Sequence, residues 1–266
     1  MNLSDLNFFR KKILIAFILC LNIVSINVFA QQKKYTVSNA HAHNDYMHPL
    51  PFYTAFNTGF GSIEADVYPV DGILYVSHNK KDIQPQRTLK SLYLEPLLNE
   101  LAKDKHRHLK LLIDIKENYQ LSLQILLKEI DPLKNYLVTP GDAGKPVTIL
   151  ISGERPPPAE YKNYPGYIYF DDDLKLHHNA EEWKRVAQVS LSFEKYSAWK
   201  GENILNAKDK KLLQHVIDSV HHAGKPIRFW AAPDNQASWK LQMELGVDLI
   251  GTDKIDELAD FLKRGE

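Results

Sequence analysis

Glu64 and Asp66 stand two positions apart within an apolar run over 63–67. On a β-strand, side chains two positions apart share one face, so both carboxylates point the same way. Two neighbouring carboxylates repel each other unless a cation lies between them. We therefore predict that both bind one hard divalent cation, Ca²⁺ or Mg²⁺, through oxygen. The alternative is a strand that turns an ordinary polar face to solvent.

Two further positions offer oxygen ligands to the same cation. Asn44 carries a neutral amide oxygen, although an Asn-Asp pair also suits a local turn. Asp114 follows three apolar residues and shares a strand face with Lys116. We predict that Asp114 is a third carboxylate ligand and that Lys116 contacts a phosphate. A buried salt bridge between Asp114 and Lys116 is the alternative.

His43 and His78 are the candidates for proton transfer, because they flank the carboxylate pair in the sequence. Hydrolysis of a phosphodiester needs a base for the attacking oxygen and an acid for the leaving oxygen. Two imidazoles can divide this work near neutral pH. We predict His43 as the base and His78 as the acid. His41 shares a face with His43, but Asn44 directly follows His43, which favours His43.

A later predicted strand carries Arg228 and Trp230 on one face. We predict that Arg228 contacts an anion and that Trp230 forms a wall of the substrate site. Ordinary filling of the interior is the alternative for Trp230. The acidic run over 171–173 also follows a predicted strand, and we expect it to form a solvated loop; support of a site is the alternative.

Short β-rich runs alternate with longer amphipathic stretches along the chain, a pattern typical of a parallel sheet. A hairpin arm is predicted at 73–77. The core strands are predicted at 35–41, 62–68, 109–115, 147–151, 167–170, 189–193, 226–231 and 247–251. Eight such units predict an α/β fold, a TIM-like (β/α)8 barrel in a single domain. An open doubly wound sheet is the alternative. In a barrel, the candidate residues would meet at the C-terminal ends of the strands.

The N-terminus has the pattern of a targeting segment. A basic stretch at 10–12 precedes an apolar run over 13–29, and Ala30 provides a small residue at the expected cleavage position. We predict a signal peptide over 1–30, an exported protein in the periplasm or outside the cell, and a barrel domain over 31–266. A retained membrane anchor is the alternative; after cleavage we expect no stable membrane span.

Composition narrows the class of partner. The 266 residues include 33 basic and 33 acidic side chains, so the formal net charge is zero. This balance argues against nucleic acid or a strongly anionic membrane as the main partner.

Several motifs together resemble the phosphatidylinositol phospholipase C-like phosphodiesterase superfamily, which includes the glycerophosphodiester phosphodiesterases. The nearest branch is the one named for altered inheritance of mitochondria protein 6. The motifs lie at 42–46, 63–67, 71–72, 74–78, 112–116 and 246–253. The resemblance implies a TIM-like barrel, one Ca²⁺ or Mg²⁺ ion, two catalytic histidines and a small-molecule or lipid phosphodiester as substrate.

These observations predict an exported, metal-dependent phosphoric diester hydrolase. Two other functions remain open at this point. The barrel could be a non-catalytic periplasmic binding module whose metal site is structural, or it could hydrolyse another class of ester.

Overall fold

The computed structural model describes residues 33–265, and its centre is a parallel β-barrel. The strands are β1 Ala40–Ala42, β2 Ser62–Val70, β3 Ile73–Val76, β4 Leu109–Ile115, β5 Val147–Gly153, β6 Ile168–Asp172, β7 Val186–Ser192, β8 Ile227–Trp230 and β9 Ile250–Thr252. The α-helices are α1 Tyr53–Thr58, α2 Glu95–Lys103, α3 Tyr119–Glu129, α4 Ala180–Lys184, α5 Ala207–His222, α6 Gln236–Leu245 and α7 Ile255–Arg264. The predicted signal peptide over 1–30 lies outside the described residues.

Eight of these strands pair in parallel in the order β8-β7-β6-β5-β4-β2-β1-β9, and β3 pairs antiparallel with β2. The two end strands meet, because Arg228 forms a parallel bridge with Leu249. The amides of Asp248 and Leu249 both donate to the carbonyl oxygen of Ile227, at 3.0 and 3.3 Å. The sheet is therefore a nearly closed barrel with helices between its strands. The predicted TIM-like (β/α)8 fold is confirmed, and the open-sheet alternative is wrong.

The alternation of side chains on β2 and β4 decides what reaches the barrel interior. Ile63, Ala65 and Val67 of β2 are buried in the hydrophobic core, as are the residues of β4 that alternate with Asp114. Since successive side chains point to opposite faces, Glu64, Asp66 and Asp114 face the inside of the barrel. The prediction that the two carboxylates of β2 share a face is confirmed.

The first predicted strand, over 35–41, is shorter in the structure. A 3₁₀ turn over Val37–Asn39 precedes the three residues of β1. The Asn39 side chain accepts from the Thr36 amide at 3.0 Å and donates to the Asp248 carbonyl at 3.1 Å. These side-chain hydrogen bonds replace the strand ladder at this point. A similar shift places β9 at 250–252 rather than 247–251.

The least regular part of the barrel is the stretch between β5 and β7. It contains a 3₁₀ segment over Pro158–Asn163 and the five-residue helix α4. Arg185 donates to the carbonyl oxygens of Tyr161, Tyr164, Pro165 and Ile168 at 2.6–3.2 Å. One guanidinium thus satisfies backbone acceptors that a regular helix would pair internally. Among the described residues, no helix is both long and apolar enough to cross a bilayer.

Candidate active site

A cavity of about 500 Å³ opens at the C-terminal ends of the strands. Most of the residues predicted from the sequence line it: His43, Glu64, His78, Asp114, Lys116, Arg228 and Trp230. The other two, Asn44 and Asp66, lie directly behind this lining and bond to its members or to their partners. The fold therefore brings all nine predicted site residues to one end of the barrel.

Three carboxylates form the centre of the site. β2 and β4 pair in parallel with Asp66 opposite Asp114, and Glu64 lies one inward-facing position earlier on β2. One oxygen from each carboxylate lies within 4.8 Å of the others. Carboxylate oxygens at this spacing are the donors that Ca²⁺ and Mg²⁺ prefer. The donor set therefore fits a hard divalent cation.

Asp66 and Asp114 share the ammonium of Lys116. The Lys116 Nζ lies 2.8 Å from Asp66 Oδ2 and also donates to Asp114 Oδ2. Ser152 supports the other oxygen of Asp114 with a hydrogen bond of 2.7 Å. Burial lowers the pKa of Lys116, but Asp114 and Asp66 outweigh it and the net pKa is raised. The salt bridge offered as the alternative is present, and it holds a charged lysine at the cavity wall.

Glu64 is compensated by a different cation. The Arg228 guanidinium lies 2.7 Å from Glu64 Oε2, and His41 Nε2 lies 2.8 Å from the same oxygen. Burial alone would raise the pKa of Glu64, but Arg228 and His41 hold it well below its usual value. Burial and Arg228 lower the pKa of His41 to about 3, so His41 is neutral near neutral pH. His41 therefore supports Glu64 and is a poor candidate for the catalytic base.

His43 is oriented by Asp253, which directly follows β9. The His43 Nδ1 lies 2.8 Å from Asp253 Oδ1. Because an ionised carboxylate only accepts, Nδ1 carries the proton and Nε2 keeps its lone pair. Burial lowers the pKa of His43, but the hydrogen bond to Asp253 and the charges of Glu64 and Asp253 outweigh it. The net pKa of His43 is therefore raised above its usual value.

Tyr46 connects the β1 loop to the carboxylates, and the sequence did not identify it as a site residue. Its hydroxyl lies 2.7 Å from Asn44 Oδ1 and 2.8 Å from Asp66 Oδ2. Asn44 adopts a left-handed backbone conformation with φ of 50°, which turns its side chain toward this group. His78 Nδ1 lies 3.2 Å from the same Asp66 oxygen. Asn44 is therefore linked to the three carboxylates through the Tyr46 hydroxyl, and His78 is linked to them through Asp66.

The acidic run over 171–173 was expected to be a solvated loop, and that expectation is wrong for its first two members, which end β6. Asp171 and Asp172 are buried and line the cavity, and Arg155 pairs with Asp173 at 3.0 Å. Burial raises the pKa of Asp171 to about 6. The only signal in the sequence was that the run directly follows a strand, where a barrel places its site.

Trp230 is 47% exposed, so it does not fill the barrel interior. It stands between the large cavity and a smaller one of about 170 Å³. His43 and Arg228 also border both cavities. The candidate base therefore lies where two separate spaces meet.

Comparisons with known proteins concern the family and the fold. Residues 31–108 match the AIM6-like phosphodiesterase domain, and residues 226–256 match the glycerophosphoryl diester phosphodiesterase family. The altered inheritance of mitochondria protein 6 homolog of Arthroderma benhamiae is 29% identical over 81% of each chain.

Two solved structures share the fold. A glycerophosphodiester phosphodiesterase from Parabacteroides distasonis has a TM-score of 0.54 at 13% identity, over 87% of this chain and 100% of that one. A phosphodiesterase from Oleispira antarctica, in complex with the product sn-glycerol-3-phosphate, has a TM-score of 0.52 at 14% identity. It covers 84% of this chain and 95% of that one. At such identities the likeness concerns the fold alone.

The comparisons correct one prediction. The relatives carry a name that refers to the inheritance of mitochondria. This finding overturns the predicted exported location, periplasmic or extracellular. The resemblance predicted from the motifs is confirmed: the chain resembles the AIM6-like phosphodiesterases and shares the barrel of the glycerophosphodiester phosphodiesterases.

Proposed function

We propose that the chain is a metal-dependent phosphodiesterase that uses His43 and His78 for acid/base catalysis. The observation that carries the proposal is the meeting of three carboxylates, one amide oxygen and two histidines at a single barrel mouth. The phosphodiesterase-like fold supports the reaction class.

Asn44, Glu64, Asp66 and Asp114 would hold one Ca²⁺ or Mg²⁺ ion. Such a cation, when bound, offsets the negative charge that builds on the phosphoryl oxygens in the transition state. Lys116 and Arg228 line the same cavity and add positive charge for orienting the phosphate. Trp230 would bound the space that one ester arm occupies.

His43 has the features of a general base. Asp253 holds its Nδ1 proton, which leaves Nε2 to accept a proton from the attacking oxygen. That oxygen belongs to water or to a hydroxyl group of the substrate. Attack by water releases both products directly, whereas attack by a substrate hydroxyl forms a cyclic phosphate first.

His78 would act as the acid for the leaving alkoxide. Its side chain is 59% exposed, and Nδ1 is anchored to the Asp66 carboxylate. This anchor leaves Nε2 as the position from which a proton is donated. The substrate class that fits is a small-molecule or lipid phosphodiester.

The test is hydrolysis of bis(p-nitrophenyl) phosphate by the full chain, before and after EDTA treatment and with Ca²⁺ or Mg²⁺ restored. We expect EDTA to abolish turnover and a metal to restore it. His43→Ala and His78→Ala should each lower kcat by about 10²–10⁴-fold. His222→Ala, on the exposed side of α5, is the matched control and should leave turnover unchanged.

Near-full activity in either purified site variant would refute the assignment of that histidine. Tight metal binding with no turnover of any phosphodiester would favour the non-catalytic binding module. Turnover of phosphomonoesters in place of diesters would indicate a different ester hydrolase.

A further inference from the structure

Asp45 is a fully buried carboxylate beside the site, and the proposed mechanism does not use it. It lies between Asn44 and Tyr46 in the chain and lines neither cavity. Its Oδ2 accepts hydrogen bonds from the Phe52 amide at 2.6 Å and from the Tyr93 hydroxyl at 2.9 Å. Its Oδ1 is buried without a hydrogen-bond partner among the described residues. A buried carboxylate with one unpaired oxygen costs stability, so packing alone does not account for it.

Both partners of Asp45 reach it through unusual backbone. Phe52 has a φ of 65° and a ψ of −58°, a conformation that is rare for a bulky residue. Tyr93 lies in a π-helical turn over Lys90–Leu94, a form that is uncommon and is frequently found at functional sites. Strained backbone persists only where the surrounding structure imposes it, and it clusters near functional sites. Two irregular segments therefore converge on one carboxylate.

Arg87 provides a second link between the same part of the chain and the loop after β1. Its guanidinium donates to the carbonyl oxygen of Tyr46. Its own carbonyl oxygen accepts from the Val76 amide at 2.8 Å, at the end of β3 and two residues before His78. The segment over 87–93 therefore contacts the loop after β1 on one side and the end of β3 on the other.

These two parts of the chain carry the histidines of the proposed mechanism, since His43 follows β1 and His78 follows β3. We call Asp45, Arg87 and Tyr93 the loop brace, because they join both parts to one segment. A general base and a general acid that act on one phosphate must both lie within hydrogen-bond reach of the reacting oxygens. The relative position of the two loops therefore has to be fixed.

We infer that the loop brace sets the position of His43 relative to His78, with Asp45 and Tyr93 as positioning residues outside the cavity lining. The inference rests on the proposed function, because that function makes the two histidines a catalytic pair. A displacement of about 1 Å in such a pair can lower the rate on the order of 10²-fold.

NMR signals of the imidazole groups test the inference in the full chain without any turnover. Tyr93→Phe removes one hydroxyl from the loop brace but keeps the ring that packs edge-on against Phe52. We expect the signals of both His43 and His78 to shift in Tyr93→Phe, with assignments from the two His→Ala variants. Tyr35→Phe is the matched control, because it also loses a buried hydrogen bond to oxygen and borders neither cavity. The control should leave both sets of signals unchanged.

Two diesters with different leaving groups test whether the position matters for catalysis. Phenol is a weaker acid than p-nitrophenol, so hydrolysis of diphenyl phosphate depends more on a correctly placed proton donor than hydrolysis of bis(p-nitrophenyl) phosphate. Tyr93→Phe and Asp45→Asn should each lower kcat on diphenyl phosphate about tenfold more than on bis(p-nitrophenyl) phosphate. KM should change by less than about twofold, because the loop brace does not line the cavity. A loss of folded protein would instead lower both rates by the same factor.

Unchanged imidazole signals in Tyr93→Phe, equal shifts in the Tyr35→Phe control, or equal losses of kcat on the two diesters would overturn the inference. If Asp45→Asn does not fold, Tyr93→Phe serves for both measurements. Shifted imidazole signals in a chain that hydrolyses no phosphodiester would refute the proposed function and leave the loop brace standing.

Discussion

Glu64 and Asp66 lie two residues apart on one strand face, yet their surroundings shift their pKa values in opposite directions. Arg228 and His41 enclose Glu64, and the pKa of Glu64 falls well below its usual value. Burial and the nearby Glu64 charge raise the pKa of Asp66, although Lys116 works against them. Glu64 is therefore ionised near neutral pH, whereas the charge of Asp66 depends on Glu64 and Lys116.

The two compensating cations differ in freedom. The Arg228 guanidinium is buried and held by Glu64 and by Ser190 at 3.3 Å. Lys116 ends in a single ammonium on a flexible chain, and its side chain is partly exposed to the cavity. A lysine can swing away from its carboxylates when a metal or phosphate arrives, and a packed arginine cannot without leaving a buried charge. We therefore expect Arg228 to remain paired with Glu64 when a ligand binds. Lys116 can instead release Asp66, so that a metal ion or a phosphate takes its place.

The largest expected effect comes from breaking the permanent group. Arg228→Met leaves Glu64 and His41 buried without their cation and should lower the free energy of unfolding by about 3–5 kcal/mol. Lys116→Met should cost only about 1–2 kcal/mol, because the Asp66 and Asp114 group is nearer to solvent. Urea unfolding followed by circular dichroism measures both values.

A rescue variant checks the cause. Glu64→Gln combined with Arg228→Met removes the uncompensated carboxylate and should recover part of the lost stability. Equal losses for Arg228→Met and Lys116→Met would contradict the distinction between the two groups.

The next effect concerns Gly153, the last residue of β5, which pairs with Ile115 beside Asp114. Gly153 has a φ of 70°, and an added Cβ would press on the carbonyl oxygen of Ile115 and lie 2.6 Å from Asp114 Oδ1. Gly153→Ala should therefore destabilise the protein by about 2–4 kcal/mol and displace that carboxylate. Gly72 has a similar φ of 79° but open space around it, so Gly72→Ala should cost about 1 kcal/mol. Similar losses in the two variants, measured by thermal unfolding, would exclude the steric contact with Asp114.

Much of this framework was predictable because it depends on local pattern. β4 occupies the predicted positions 109–115, since an uninterrupted buried run has few other ways to fold. The shared face of Glu64 and Asp66 follows from the strand period alone. The bounds of the strand predicted at 35–41 were wrong, because Asn39 bonds to Asp248, 209 positions away.

The partners of the site residues depend on contacts that no local pattern contains. Asp253 meets His43 across 210 positions, and Arg228 meets Glu64 across 164. From the sequence, an anion contact for Arg228 and metal ligation by Glu64 are two independent predictions. Their pairing, which lowers the pKa of Glu64, emerges only when the barrel closes.

A smaller effect tests whether Tyr46 orients Asn44 and Asp66 for metal binding. Tyr46→Phe removes the hydroxyl beside Asn44 and Asp66 and should lower Ca²⁺ or Mg²⁺ affinity about 10–100-fold in calorimetric titration. Stability should fall by only about 1–2 kcal/mol. Tyr35→Phe is the control, since it also loses a hydrogen bond, to the Val247 carbonyl, but lies away from the carboxylates. Unchanged metal affinity in Tyr46→Phe would show that the hydroxyl does not orient the ligands.

The smallest effect uses a further carboxylate, one whose burial outweighs the nearby charge of Lys90. Glu129 ends α3, and its Oε2 is buried without a hydrogen-bond partner among the described residues. Burial raises its pKa from 4.5 to about 6. Because the folded-state pKa is the higher one, the unfolded chain loses its proton first as the pH rises. The stabilisation from protonated Glu129 is therefore complete below pH 4.5 and is lost as the pH rises through about 6. The loss amounts to about 1–2 kcal/mol after allowance for partial exposure.

Urea unfolding between pH 4 and 7 should show this decrease in the free energy of unfolding of the wild type, and Glu129→Gln should remove the part that Glu129 causes. An identical pH profile in both proteins would mean that burial does not control the pKa of this carboxylate, and it would weaken the same explanation for Asp66.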